Sequence, residues 1–192
     1  MVSINNKNLN TTSNKIRKCS ALIQYVYEQL VNDDEIRRYL YYNTYTPLSN
    51  RGKGYDGKII QQPDIGVEDM ENLIFDSPFN PETNMLLQNY LFINLTNGKF
   101  NNRQNSIFFE INILVPEKYS KISNGYRYFE IAQRVADILD KMHIEGEFAE
   151  ELGNLQPNLY AMPVYRLSKT NDLIWVSMQF ETPLVPFDRV RL

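Results

Sequence analysis

This sequence has very few of the residues that build covalent cross-links and metal centres. Its 192 residues include one Cys, Cys19, and one His, His143. A single Cys excludes an internal disulfide, and a single His with no Cys nearby lacks the ligands of a zinc site. We also see no apolar run close to the roughly 20 residues that span a bilayer and no apolar core of a secretory signal, so no membrane partner is expected.

Excess charge of one sign is also missing. The chain carries 20 Lys and Arg against 23 Asp and Glu, a formal net charge of -3. General attraction to nucleic acid or to an anionic membrane surface is therefore not expected, although a polyanion could pass nearby without sticking. Hydrophobic residues make up 43% of the chain, which is enough for a core.

The length and the distribution of polar residues indicate a single domain with extended ends. Residues 1–13 are rich in Asn, Thr and Ser and are interpreted as a flexible N-terminal arm. Residues 14–183 are predicted to form the domain, and residues 184–192 a C-terminal arm, because prolines interrupt strand pairing there. Within the domain, residues 44–87 contain several glycines and prolines and are predicted to be a long loop insertion with little regular structure.

Helical spacing of apolar residues predicts three helices. The first covers about Asn14 to Val31. The second, DEIRRYLYY, is short and is predicted to be capped by Asp33, with Arg37 and Arg38 in water. The third follows the turn at 123–125 and covers about Tyr126 to Met142. The stripe of the first helix is Ile16, Cys19, Ile23, Val26 and Leu30. The third helix is expected to bury Tyr128, Ile131, Ala132, Val135, Ile138, Leu139 and Met142, and to expose Arg127, Arg134, Asp137 and Lys141.

Alternating apolar residues predict strands at Asn89 to Leu95, Ile107 to Val115, Tyr160 to Leu167 and Leu173 to Glu181. The first two are expected to form a hairpin through a turn at residues 97–102. Adjacent strands joined by turns favour an α+β fold: a mixed or antiparallel sheet of about four strands, with the helices packed on one face.

The segment Gly52 to Ile59, GKGYDGKI, is a near match to a phosphate-binding loop, but no Ser or Thr follows Lys58 and no buried strand precedes Gly52. Asp56 to Lys58 also resembles the end of a metal-dependent nuclease motif, without the acidic residue on an upstream strand. The alternatives are a flexible tip or an assembly loop in which Tyr55 contacts a partner. We predict no cofactor and no metal ion.

Three further groups have a structural interpretation beside a chemical one. Cys19 falls on the apolar stripe of the first helix, so a buried structural thiol is favoured over a catalytic pair with His143. Glu145, Glu147, Glu150 and Glu151 match no calcium loop and are interpreted as solvated surface. The tyrosines at 39, 41, 42 and 45, next to Arg37 and Arg38, resemble a base-stacking platform, but covering a sheet edge or a subunit contact is favoured.

The layout from about Asn14 to Leu184 resembles the tail terminator and related head–tail joining proteins of tailed bacteriophages. The segments that carry the resemblance are DEIRRYLYYNTYTPLS, the strand IFFEINILVP, the turn and helix NGYRYFEIAQRVADILDKM, and the final pair MPVYRL and LIWVSMQFE. Within the third segment, Arg127 followed by Glu130, Ile131 and Ala132 matches a pattern of strand, loop, Arg and amphipathic helix. The insertion before Gln88 and the C-terminal arm depart from the shorter members.

The resemblance implies a structural virion protein and no enzymatic activity. Such a protein assembles in the host cytoplasm as a ring, usually hexameric, in the neck or tail of the virion. It contacts connector, neck and tail-tube proteins, and DNA passes through its lumen without sequence-specific contacts. An adaptor or stopper ring, a nucleic-acid-binding protein and a nuclease that uses Gly52 to Lys58 are the alternatives. The residues proposed for the assembly interface are Gly52, Gly54, Tyr55, Lys58, Phe187, Arg189 and Arg191.

Overall fold

A computed structural model describes residues 12–77, 88–100, 105–140, 157–167 and 172–183. Three helices precede or interrupt the strands: α1 (Thr12–Asn32), α2 (Asp34–Tyr41) and α3 (Arg127–Asp140). Asp33 caps α2 as predicted, since its Oδ1 accepts the Ile36 N–H at 2.9 Å. The helix prediction is confirmed for all three, with boundaries that shift by one or two residues.

Ten strands are present in the described residues. The five in the first half of the chain are β1 (Arg51–Lys53), β2 (Ile59–Gln61), β3 (Ile74–Phe75), β4 (Tyr90–Phe100) and β5 (Asn105–Pro116). The other five are β6 (Lys121–Ile122), β7 (Gly125–Tyr126), β8 (Asn158–Ala161), β9 (Val164–Leu167) and β10 (Leu173–Pro183). Between Val67 and Glu71 there is also a short 3-10 turn, Glu68–Met70.

The main sheet has six strands in the order β3-β4-β5-β10-β8, and β9 also pairs with β10. It is mixed because β3 runs parallel to β4, whereas the other pairs are antiparallel. The expectation of about four strands was too low for two reasons. The insertion contributes β3, and the strand predicted over Tyr160 to Leu167 is broken at Met162 and Pro163 into β8 and β9.

The core lies between one face of this sheet and the three helices. Alternate residues of β5, from Ile107 to Val115, are all buried there, as are Ile174, Val176, Met178 and Phe180 of β10. A smaller cluster of Phe92, Leu114 and Leu173 lies on the opposite sheet face, with no helix residue in it. The α+β prediction, with helices on one face, is therefore confirmed.

Four local expectations were wrong. The insertion contains β1, β2 and β3, so it is not a loop of little regular structure. The predicted turn at residues 97–102 begins later, because β4 continues to Phe100. Ile16, placed on the buried stripe of α1, is exposed. Arg38 and Arg127, expected in water, are both buried.

Candidate assembly surfaces

Strands β1 and β2 form a hairpin whose turn contains most of the residues singled out in the insertion. The Gly54 N–H donates to the Lys58 carbonyl at 2.8 Å, and the Gly57 N–H donates to the Gly54 carbonyl at 3.0 Å. A phosphate-binding loop instead joins a strand to a helix and leaves its N–H groups pointing at the ligand. The Gly52 to Lys58 segment therefore has the geometry of a hairpin turn.

Gly52 is required by packing. A methyl group at this position would lie 1.1 Å from Oε1 of Gln62. That side chain is buried and held on both sides: its Nε2 donates to the Pro47 carbonyl at 2.8 Å, and its Oε1 accepts from the Thr44 hydroxyl at 3.1 Å. The close approach of a fixed amide to the backbone explains the glycine and ties the hairpin to the preceding loop.

Tyr55 joins the hairpin to the segment before α3. Its hydroxyl lies 2.9 Å from the Tyr119 carbonyl and 2.8 Å from the Lys121 carbonyl. The Tyr55 ring packs edge-on against the ring of Tyr45 and at a tilt against the ring of Tyr119, and it remains partly exposed. Its hydroxyl is thus used within the chain, while part of the ring is available to another molecule.

The predicted interface residues therefore divide into buried residues, exposed residues and residues outside the described ranges. Gly52 and Gly54 are buried, while Tyr55 and Lys58 are exposed at the hairpin tip, where the Lys58 ammonium pairs with Asp56 at 3.2 Å. The exposed side chains of Ile59 and Ile60 extend the same surface. Phe187, Arg189 and Arg191 lie outside the described residues, as do the C-terminal arm at 184–192 and the first 11 residues of the N-terminal arm.

Arg38 supports the base of the hairpin from helix α2. Its Nη2 lies within hydrogen-bond distance of the Ser49 carbonyl, 3.1 Å, and of the Gln62 carbonyl, 3.3 Å. Its Nη1 lies 3.7 Å from an exposed Asp64 carboxylate, and its guanidinium stacks over the ring of Tyr42 at 5.4 Å. These contacts explain why the second of two adjacent arginines is buried.

Arg127 is the largest fully buried side chain of the described residues. Its Nη1 donates to the carbonyls of Tyr39 and Tyr42 at 2.7 and 2.8 Å, and its Nη2 donates to the Thr44 carbonyl at 2.6 Å. Its Nε donates to the Tyr119 carbonyl at 2.9 Å. Burial lowers the pKa of this guanidinium, but Arg remains charged at any pH that a folded protein meets.

A cation is favourable at this point because carbonyls at the C-terminal end of α2 have no further helical partner. Arg127 supplies the missing donors and holds α2, the loop after it and the start of α3 together. The Arg127 position, which the sequence pattern placed on the wet face of α3, is a structural anchor. Its signals in the sequence were its place next to the turn at 123–125 and the Arg before Glu130, Ile131 and Ala132 in the family pattern.

A second surface, which the sequence analysis missed, lies on β8 and β9. Side chains of both strands are exposed even though they are apolar, and the segment from Asn158 to Tyr165 carries no charge. Soluble proteins usually protect an edge strand with charged residues. The absence of charge from Asn158 to Tyr165 is the sequence signal that could have identified this surface as a contact site. The exposed apolar side chains are Leu159, Tyr160, Met162, Val164 and Tyr165.

A third surface is an aromatic cluster at the start of α3. The rings of Tyr126, Tyr128 and Phe129 lie within 4.6 to 6.4 Å of one another, and Tyr126 and Phe129 are exposed. The tyrosines before the hairpin do not form a comparable platform, since Tyr39 and Tyr42 are buried. Both rings belong to the core of the domain.

The remaining residues that the sequence suggested for chemistry lie partly inside and partly outside the described ranges. Cys19 is buried on α1, as predicted, and burial raises the pKa of its thiol. Across the described ranges, no three His, Cys, Asp or Glu side chains are close enough together to hold a metal ion. His143 and the glutamates at 145–151 lie outside those ranges. None of the described helices has the length and apolarity to cross a membrane.

Comparison with known proteins places the chain in a family. The model of the YomW family matches residues 33–171, which include α2, the hairpin, β4, β5, α3, β8 and β9. The chain belongs to the YomW family, which is phage-derived. No curated protein matches the sequence.

Among solved structures, a chain from the virion of a native gene transfer agent particle is similar over 58% of this chain and 77% of its own length. The sequence identity is 14% and the TM-score is 0.34. A similarity of this size does not establish a common fold, and we transfer no role from it.

Proposed function

We propose that this protein is a structural component of a phage-derived virion, in which copies form a ring in the neck or tail. The observation that carries the proposal is the presence of three exposed apolar surfaces on one small domain: the hairpin tip, the aromatic cluster and the β8–β9 edge. Clusters of exposed apolar side chains on a soluble protein often mark sites of association, because contact with a partner removes them from water. Membership of a phage-derived family supports a virion as the assembly.

The proposed role is that of a tail terminator or a closely related head–tail joining protein. The mechanism is geometric and involves no catalysis. The six-stranded sheet and the helices held by Arg127 act as a rigid wedge, and the hairpin, residues 1–13 and residues 184–192 act as the joints between neighbouring molecules. Contacts that are the same at every joint close into a ring when the rotation between copies allows it.

The partners in this proposal are other copies of the chain, the connector or neck proteins on one side and the tail-tube proteins on the other. DNA passes through the lumen. A net charge of -3 suits this passage, since a strongly basic bore would hold the phosphates and slow the DNA. Assembly takes place in the host cytoplasm, and the finished protein resides in the virion.

Imaging of the purified protein tests the proposal. We expect negative-stain images to show rings with a hole wide enough for a DNA duplex, and sedimentation to give the mass of a closed oligomer. Removal of residues 184–192 is expected to leave a folded monomer that assembles poorly. Circular dichroism of the truncated chain controls for its folding. A wild-type protein that stays monomeric at high concentration would contradict the proposal, and equal ring formation by the truncated chain would contradict the role of the arm.

A further inference from the structure

One apolar row of the main sheet runs from edge to edge and is exposed at both ends. Pairing sets Leu95 of β4 beside Phe109, Phe109 beside Phe180, and Phe180 beside Leu159 of β8. The two phenylalanine rings are stacked with their centroids 5.0 Å apart, and each is 1% exposed. Leu95 and Leu159 are 41% and 43% exposed. The buried row therefore continues into solvent on both sides.

Both ends of this row lie on strand edges that no described strand covers. β3 pairs only with Leu91 and Phe92, so from Ile93 to Phe100 no described strand lies on the outer side of β4. Among the described strands, β10 is the one that pairs with β8 and with β9. An uncovered edge offers backbone donors and acceptors to a further strand, and exposed apolar side chains beside them increase the gain from pairing.

The two edges have compatible directions and charges. β4, β5, β10 and β8 alternate in direction, so a second copy that sets its β4 beside β8 continues the antiparallel order. Residues 93–100 and 158–165 together carry one charge, that of Lys99, and therefore bring no like charges together.

A closed ring needs two different surfaces on each copy, one to meet the preceding copy and one to meet the next. We infer that these surfaces are the two sheet edges: β4 of one copy pairs with the β8–β9 edge of a second copy, and Leu95 meets Leu159 across the boundary. The inference rests on the proposed function, in which copies of the chain form a ring. It adds the contact that joins them and makes the sheet continuous between subunits.

Charge placed at either end of the row tests the pairing. Leu159→Glu and Leu95→Glu each put a carboxylate into the proposed contact, where it would be buried without a partner. Val67→Glu is the matched control, because Val67 is equally exposed, at 42%, on the 3-10 segment. We expect both Leu variants to lose the ring in size-exclusion chromatography with light scattering, while the Val67 variant keeps it. Circular dichroism and urea unfolding establish that the monomers are folded.

Mixing the two Leu variants separates this contact from other modes of association. An equimolar mixture contains one intact pair of surfaces, Leu95 on the first variant and Leu159 on the second, so we expect a heterodimer that grows no further. Rings formed by either Leu variant alone, loss of the ring in the Val67 control, or a mixture that stays monomeric would overturn the pairing while leaving the ring itself in place. A monomeric wild type would overturn the ring and the pairing together.

Discussion

Arg134 on α3 and Asp33 before α2 form a two-pronged ion pair. The Arg134 Nη2 lies 2.6 Å from Oδ2 of Asp33, and its Nε lies 3.1 Å from both carboxylate oxygens. The same carboxylate caps α2 through the Ile36 N–H. Arg127, the first residue of α3 and seven positions before Arg134, binds the other end of α2. Two arginines of α3 thus hold both ends of α2.

This arrangement predicts that Asp33 and Arg134 are energetically coupled. We expect Arg134→Ala to lower the free energy of unfolding by about 1 kcal/mol, because the pair is only partly buried. Asp33→Ala should cost about 2 kcal/mol, since it also removes the helix cap. Urea unfolding of both single variants and the double variant measures the coupling, with Gln133→Ala as a control on the same helix. Simple additivity of the two single effects would contradict the prediction.

Replacement of Arg127 is expected to be the most destabilising single change on α3. Arg127→Met removes a buried guanidinium that donates to four carbonyls and leaves the Thr44 carbonyl without this donor, which should cost about 3 kcal/mol or more. Arg127→Lys should recover only part of this loss. The Lys ammonium keeps the positive charge, but it cannot reach all the positions that the planar guanidinium spans. Urea midpoints measure both. Arg166→Met is the control, since the Arg166 side chain is 72% exposed. Equal midpoints for Arg127→Met and this control would show that the buried contacts contribute little.

Gly52→Ala should destabilise the hairpin by about 1 to 3 kcal/mol, because the added methyl overlaps a buried amide that has two hydrogen bonds of its own. Gly66→Ala is the matched control. There the added methyl would meet only the carboxylate of Glu68, an exposed side chain that can move aside. Thermal unfolding of the two variants distinguishes them, and similar melting temperatures would indicate that Gln62 yields easily.

Alkaline pH should weaken the fold through tyrosines that are buried or partly buried. Burial raises the pKa of Tyr90, and burial also raises the pKa of Tyr39. The pKa values of both tyrosines in the folded state exceed the value of about 10 in the unfolded state. Their contribution to the free energy of unfolding is therefore complete below pH 10 and is lost as the pH rises through the folded-state pKa values. We expect the urea midpoint to fall above pH 10 and Tyr90→Phe to reduce that fall. A Tyr90→Phe variant with an unchanged alkaline slope would contradict this account.

Cys19 should react with a thiol reagent only when the chain unfolds. The side chain is buried on α1, and burial raises the pKa of the thiol, so little thiolate is present at neutral pH. A chain with Cys19→Ser and Ser20→Cys moves the thiol to the neighbouring exposed position and serves as the control. We expect the control to react at least about tenfold faster under native conditions. Equal rates would mean that Cys19 is accessible.

Elements with a strong repeat in their own residues were predictable. The alternation in β5 and β10 identified which side chains point into the core, and the helical spacing in α3 did the same for Ile131, Val135 and Leu139. Asp33 was recognisable as a cap because the cap, the free N–H groups and the acidic first turn are neighbours in the chain. In each case the physical cause lies within a few residues, and a local pattern records it.

Features of the fold that depend on residues far apart in the chain were decided only by the tertiary structure. Arg127 is buried because the carbonyls that it binds at the end of α2 belong to residues more than 80 positions earlier. The hairpin is ordered by Arg38 and Gln62 across the insertion, and β3 becomes a strand only because β4 lies beside it. The apolar row from Leu95 to Leu159 exists only once four separate strands are aligned, so no local pattern could show that it ends at two uncovered edges.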